Sequence, residues 1–127
     1  MSEIDSPPSH PAARISPDQV EVRERDGFSY RPLVQTPEGR GFNVNLVDVH
    51  GRHYKTAMQG GATRNYFVID GEGTLTLDGQ AHEVHRGDLF VIPDGHDYEY
   101  EGTMQLFEFN IPGTTKENER NLDATSG

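Results

Sequence analysis

A chain of 127 residues has room for one domain; with 32% hydrophobic residues, no tryptophan and no cysteine, it builds a small core without disulfides, a thiolate nucleophile or a cysteine-ligated zinc. Lys and Arg number 11 against 21 Asp and Glu, and the formal charge of −10 repels phosphate backbones and anionic lipid, which sets nucleic acid and membranes aside as partners. No apolar run approaches the roughly 18 residues of a membrane span, and the opening MSEIDSPPSHPAAR lacks the apolar stretch of a secretory leader, so the expected address is the cytoplasm.

Residues 1–27 hold Pro7, Pro8, Pro11 and Pro17 among charged and small residues, with no strand or helix period; they are expected to form a flexible N-terminal arm. Residues 28–112 alternate short strand-like runs with turn residues and form the predicted barrel. Strands are expected at Arg31–Gln35, Phe42–Val49, Tyr54–Gln59, Asn65–Ile69, Gly73–Leu77, Gln80–Val84, Leu89–Ile92, His96–Glu101 and Gln105–Ile111. Turns are expected between them at Gly60-Gly61, Asp70-Gly71, Asp78-Gly79, Pro93-Asp94-Gly95 and Glu101-Gly102, among others. Asp-Gly between two β runs is a hairpin signal, because glycine accepts the positive φ such turns require. Nine strands in so short a segment leave long exposed edges unless they close into a barrel or a two-sheet sandwich, so the fold class is all-β. Residues 113–127 read as a polar tail with one helical turn at Lys116–Arg120.

Two motifs carry a family resemblance. Gly87, Pro93 and Gly95 are followed by Tyr98 in the spacing G-x5-P-x-G-x2-H, with tyrosine at the histidine position. Gly51, Ala57, Gln59, Arg64 and Gly71 follow the spacing G-x5-H-x-H-x4-E-x6-G, with every glycine kept and every ligand position changed. The segment resembles the cupins, which implies a double-stranded β-helix (jelly-roll) barrel. Glycines and proline make turns and so report the fold; histidines and glutamate make the metal site and so report chemistry. Alanine ligates nothing, glutamine ligates poorly, and a guanidinium at the glutamate position repels a divalent cation. No metal and no cofactor is therefore expected. The tail FNIPGTTKENERNLD also resembles the C-terminal stretch of ectoine synthases, whose iron-ligand positions fall here on Arg64, Phe90 and Tyr98.

In that register Lys55, Gln59, Arg64, Tyr66, His96, Tyr98 and Tyr100 face one cavity, and Glu108 or Asp70 is the candidate partner for a buried Arg64. Without such a partner, Arg64 grips a bound anion. Tyr98 and His96 are the expected catalytic acid and base; Arg64, Gln59, Lys55, Tyr100, Tyr66 and Glu108 are the expected ligand-binding groups. A structural reading stands beside each: Arg64 as an internal ion pair, Lys55 snorkelling to solvent, His96 at the rim, and Tyr66 and Tyr100 as core packing. A metal site from His50, His53, His82 and His85 is the disfavoured use of those histidines. The expected function is metal-independent binding of a small anionic or sugar-like metabolite, with acid–base isomerase, epimerase, dehydratase or cyclase chemistry. The alternatives are a non-catalytic ligand-binding cupin and, third, a metal-dependent oxygenase or lyase with non-standard ligands. Small cupins are commonly dimers, and the doubly apolar strand Leu89–Ile92 agrees, so a homodimer crossed by the arm is expected.

Overall fold

The computed structural model describes residues 10–123. Its strands are β1 (Arg23–Arg25), β2 (Phe28–Val34), β3 (Asn43–Val49), β4 (Arg52–Met58), β5 (Thr63–Leu77), β6 (Gln80–Val84), β7 (Leu89–Ile92), β8 (Asp97–Ile111) and β9 (Glu119–Asn121), all paired antiparallel. No helix among the described residues is long and apolar enough to cross a membrane.

β5 and β8 organise the barrel. Each has 15 residues, roughly 50 Å if straight, and they run side by side nearly end to end. The first half of β5 and the second half of β8 belong to one sheet, in the order β1-β2-β3-β8-β5-β7. Their other halves belong to a second sheet, in the order β9-β4-β8-β5-β6. The two sheets face each other because the long strands turn a corner together.

That corner replaces two expected turns. Asp70-Gly71 and Glu101-Gly102 do not reverse the chain; they are where β5 and β8 pass from one sheet to the other. Gly71 has φ 100°, next to a register shift between Val68 and Asp70, and a Cβ there would run into the backbone of Thr103 and Met104. Gly71→Ala is therefore expected to cost about 3 kcal/mol, from backbone strain plus forced separation of the strands. Urea unfolding would show this as a lower midpoint at an unchanged slope. The expected hairpin at Asp78-Gly79 is present, joining β5 to β6 with Leu77 opposite Gln80.

Val47, Val68, Leu75, Val84, Ile92 and Leu106 are buried between the sheets. Polar side chains are buried beside them: Asn43, Arg64, Glu108, Asn110 and Thr114. The ends of the chain add to this shell. Arg23–Arg25, from the segment set apart as an arm, pairs with β2, and His10 Nε2 lies 3.0 Å from the Gly39 carbonyl oxygen. Beyond the barrel, a single 3-10 turn at Lys116–Asn118 leads into β9, which pairs with β4. Residues 1–9 and 124–127 of the expected arm and tail lie outside the described residues.

Candidate active site

A cavity of about 480 Å³ opens into the barrel between β2, β3, the start of β4 and the turn after β8. Its polar floor rises from the β5–β8 ladder, where Arg64 stands opposite Asn110 and Tyr66 opposite Glu108. Strand alternation then carries Arg64, Tyr66, Tyr98, Tyr100 and Glu108 to one interior, all at most 7% exposed. These five sequence-predicted residues are brought together.

Arg64 has a carboxylate on each side. Its Nε lies 3.2 Å from Glu108 Oε2, and its Nη2 donates to Glu119 Oε2 at 3.0 Å. Nε also donates to Asn110 Oδ1 (2.9 Å) and Nη1 to the Tyr98 hydroxyl (2.8 Å). Glu108 Oε2 accepts further from Asn45 Nδ2 (3.2 Å) and Asn110 Nδ2 (2.9 Å). Burial works to lower the Arg64 pKa, but Glu108, followed by Tyr98, Tyr66 and Glu119, together outweigh it and hold the guanidinium well above its ordinary pKa. The internal ion-pair reading of Arg64 holds, with Glu108 as partner, while Asp70 is exposed at the corner.

The Tyr98 hydroxyl lies 3.0 Å from that of Tyr66. Burial pushes the Tyr98 phenol up to about 12, and it raises Tyr66 and Tyr100 well above the usual phenol range. All three therefore keep their protons at neutral pH. The rings of Tyr66 and Tyr100 meet edge to face, with centroids 5.4 Å apart.

Lys55, Gln59 and His96 are not in this cavity, and each is a correction. β4 carries a bulge between His53 and Thr56 that inverts its alternation. Thr56 and Met58 consequently point inward, while Ala57, Lys55 and Gln59 turn away. Gln59 is exposed and donates to the Glu117 carbonyl at 3.0 Å. His96 is exposed at the surface, where its Nδ1 lies 2.6 Å from Asp78 Oδ2. The Asp78 carboxyl sits below its usual range because the Asp97 backbone N–H and His96 both bond to it.

The same bulge brings in a residue that the sequence reading passed over. His53 is 4% exposed and lines the cavity. Its Nδ1 lies 2.7 Å from the Tyr54 carbonyl oxygen, a contact that requires Nδ1–H and puts the lone pair on Nε2. Nε2 has no hydrogen-bond partner among the described residues. Burial, with Arg64 assisting, lowers the His53 pKa to about 4, so the ring is a neutral acceptor at pH 7. Asn43 and Asn45 also line the cavity, as does Glu119 from β9.

The donor set does not suit the metal centre of metal-binding cupins. A guanidinium and a phenol occupy Arg64 and Tyr98, and among the described residues no three His, Cys, Asp or Glu side chains gather where they would hold an ion.

Two antiparallel sheets wrapped around a polar cavity make this protein a cupin barrel. Residues 35–111 match the family described as mannose-6-phosphate isomerase, cupin domain, and the chain belongs to that family. No curated protein matches the sequence. Among solved structures, it resembles Streptomyces Pac13, described as a unique nucleoside dehydratase, at 20% identity over 88% of this chain and 92% of that one, with a TM-score of 0.78. Three uridine-bound structures of that protein carry single substitutions, histidine to glutamine in one and tyrosine to phenylalanine in two. An ectoine synthase from P. lautus is 15% identical over 91% of this chain and 94% of its own, with a TM-score of 0.73. The polyketide cyclase RemF from Streptomyces resistomycificus is 20% identical over 91% and 88%, also with a TM-score of 0.73.

Proposed function

We propose that this chain is a cupin enzyme that eliminates water from a small sugar-like or nucleoside-like substrate by acid–base chemistry. The observation that carries the reading is neutral, buried His53, whose Nε2 has no hydrogen-bond partner among the described residues and whose ring lines one cavity with Tyr66 and Tyr100, 4.7 Å from the Tyr100 ring between centroids. Spacing supports it. In the uridine-bound Pac13 variants the two substituted tyrosines lie 13 and 47 positions after the substituted histidine, and from His53 the same steps reach Tyr66 and Tyr100.

In this reading His53 Nε2 removes a carbon-bound proton next to a carbonyl. The electron pair left behind expels a hydroxyl from the neighbouring carbon. That hydroxyl takes a proton from Tyr66 or Tyr100 and departs as water, and the proton held by His53 passes through solvent to the tyrosine left as phenolate, which restores both groups. Arg64 sets the direction of the proton chain. It can only donate, so it polarises the Tyr98 hydroxyl, and Tyr98 in turn donates to Tyr66. Tyr66 keeps its own proton for the cavity.

The test is incubation with nucleosides and sugars that carry a carbonyl beside an acidic carbon, followed by mass spectrometry. A product lighter by one water, with solvent deuterium entering the substrate at that carbon, is expected. Neither change with any such compound would overturn the reading.

A second copy is proposed as the partner of the outer sheet face. Leu46, Phe107, Phe67 and Leu89 follow one another across β3, β8, β5 and β7, with Val91 and Ile111 flanking them. Phe67, Leu89, Val91 and Ile111 are 41–56% exposed, and an apolar row of this width is characteristic of an interface. Light scattering is expected to give twice the 14.2 kDa of one chain, and Leu89→Glu with Val91→Lys to return it to one. A monomeric parent protein would refute the dimer.

A further inference from the structure

One wall of the cavity carries polar atoms that the barrel itself leaves unused. Asn43 and Asn45 stand two residues apart on the same face of β3, about 7 Å along the strand, and both line the cavity. Each amide is anchored at one end only. Asn43, 9% exposed, accepts at Oδ1 from the Thr114 backbone N–H (2.8 Å) and the Thr114 hydroxyl (3.2 Å). Asn45 Nδ2 donates to Glu108 Oε2 at 3.2 Å. A backbone N–H can only donate and a carboxylate can only accept, so neither amide can turn over without losing its anchor. What each one offers is therefore fixed in kind: Asn43 presents Nδ2, a donor, and Asn45 presents Oδ1, an acceptor. Neither atom has a hydrogen-bond partner among the described residues.

A nine-tenths buried asparagine whose anchor uses only its oxygen holds its N–H groups without a partner, at a cost that folding does not recover. We infer that Asn43 and Asn45 read an amide edge of the substrate, Asn43 donating to its carbonyl oxygen and Asn45 accepting from the adjoining N–H. In a cyclic amide or imide those two groups lie side by side and differ in kind, as the asparagine atoms do. A diol gains no selectivity from amides locked in one orientation, because each hydroxyl both donates and accepts. A carboxylate or phosphate would turn lone pairs toward Asn45 Oδ1, and Arg64, the cation of the floor, is already engaged by Glu108 and Glu119. The inference rests on reading the cavity as the substrate site, and it narrows the nucleoside-like class to uncharged cyclic amides and imides.

Titration of the isotope-labelled protein, followed by NMR, tests it with two probes: uridine and succinimide. Each is compared with its derivative methylated at the imide nitrogen, which keeps the carbonyls and loses the N–H. At least one imide is expected to bind about tenfold or more tightly than its methylated form and to shift the side-chain amide resonances of Asn43. Asn43→Asp keeps the oxygen that Thr114 requires and removes the donor, so it should weaken that imide by a similar factor. Failure of both imides to bind would overturn the pair, as would equal affinity for the methylated forms or a folded Asn43→Asp variant that binds like the parent. The elimination is judged separately. If an imide binds at Asn43 while no compound in the dehydration screen loses water, the pair stands and the elimination does not. If a sugar loses water while neither imide binds, the reverse holds.

Discussion

Arg64→Met is expected to lower the free energy of unfolding by about 3–5 kcal/mol, the cost of leaving a buried carboxylate without its cation. Glu108 is 7% exposed, and without Arg64 its remaining side-chain partners are the amides of Asn45 and Asn110. The Tyr98 hydroxyl would lose its donor, and Glu119 would lose the bond that ties β9 to the floor. The double variant Arg64→Met, Glu108→Gln should recover part of the loss, because it removes both charges together. Chemical denaturation of the parent, the two single variants and the double variant checks this. A single-variant loss under about 1 kcal/mol would mean that the ion-pair network does not stabilise the barrel.

His53→Gln is expected to reduce kcat/KM by about 10²–10⁴, the usual contribution of a general base, while substrate affinity changes little. Two pH effects separate this role from mere packing. With a folded-state pKa of about 4, the parent's kcat/KM should stay level from neutral pH down to near pH 4, instead of falling near pH 6.5 as with an ordinary histidine. Stability should move in the opposite sense to a salt-bridged histidine. The unfolded chain takes up the proton first, so His53 destabilises the fold progressively as pH drops from about 6.5 towards 4. The loss is about 2 kcal/mol by pH 5, and the glutamine variant should lack that component. Denaturation midpoints of both proteins at pH 7 and pH 5 measure it. A glutamine variant with full turnover would remove His53 from the chemistry.

The barrel could be read from its turns, because glycine and Asp-Gly announce where a chain must bend. Whether a glycine reverses a strand or only creases it was not legible: Gly71 and Gly102 look like hairpin residues until their strands are seen to continue. The floor was readable because β5 and β8 alternate without interruption on either side of their corner, which put Arg64, Tyr66, Tyr98, Tyr100 and Glu108 on the correct side. β4 was not, since its bulge leaves no mark in the letters. Strict alternation through Lys55 and Gln59 would have included His53 on the same face, and that face was judged inward. The reading failed at Lys55 and Gln59 and passed over the one residue of the row that does point in. His96 looked like a base because alternation puts it on the face of Tyr98 and Tyr100, but β8 begins only at Asp97, so His96 belongs to the preceding turn, where Asp78 holds it at the surface.

The layout of the β5–β8 ladder bears on how such a protein can diversify. Most of the groups around the reacting position sit on two adjacent strands, with His53 added from β4, Asn43 and Asn45 from β3 and Glu119 from β9, while the opening is shaped by β1, the loop after β2 and the turn after β8. Descendants can redraw the entrance, in length or in charge, and inherit the chemistry intact. Selectivity and reaction type are free to evolve on separate schedules.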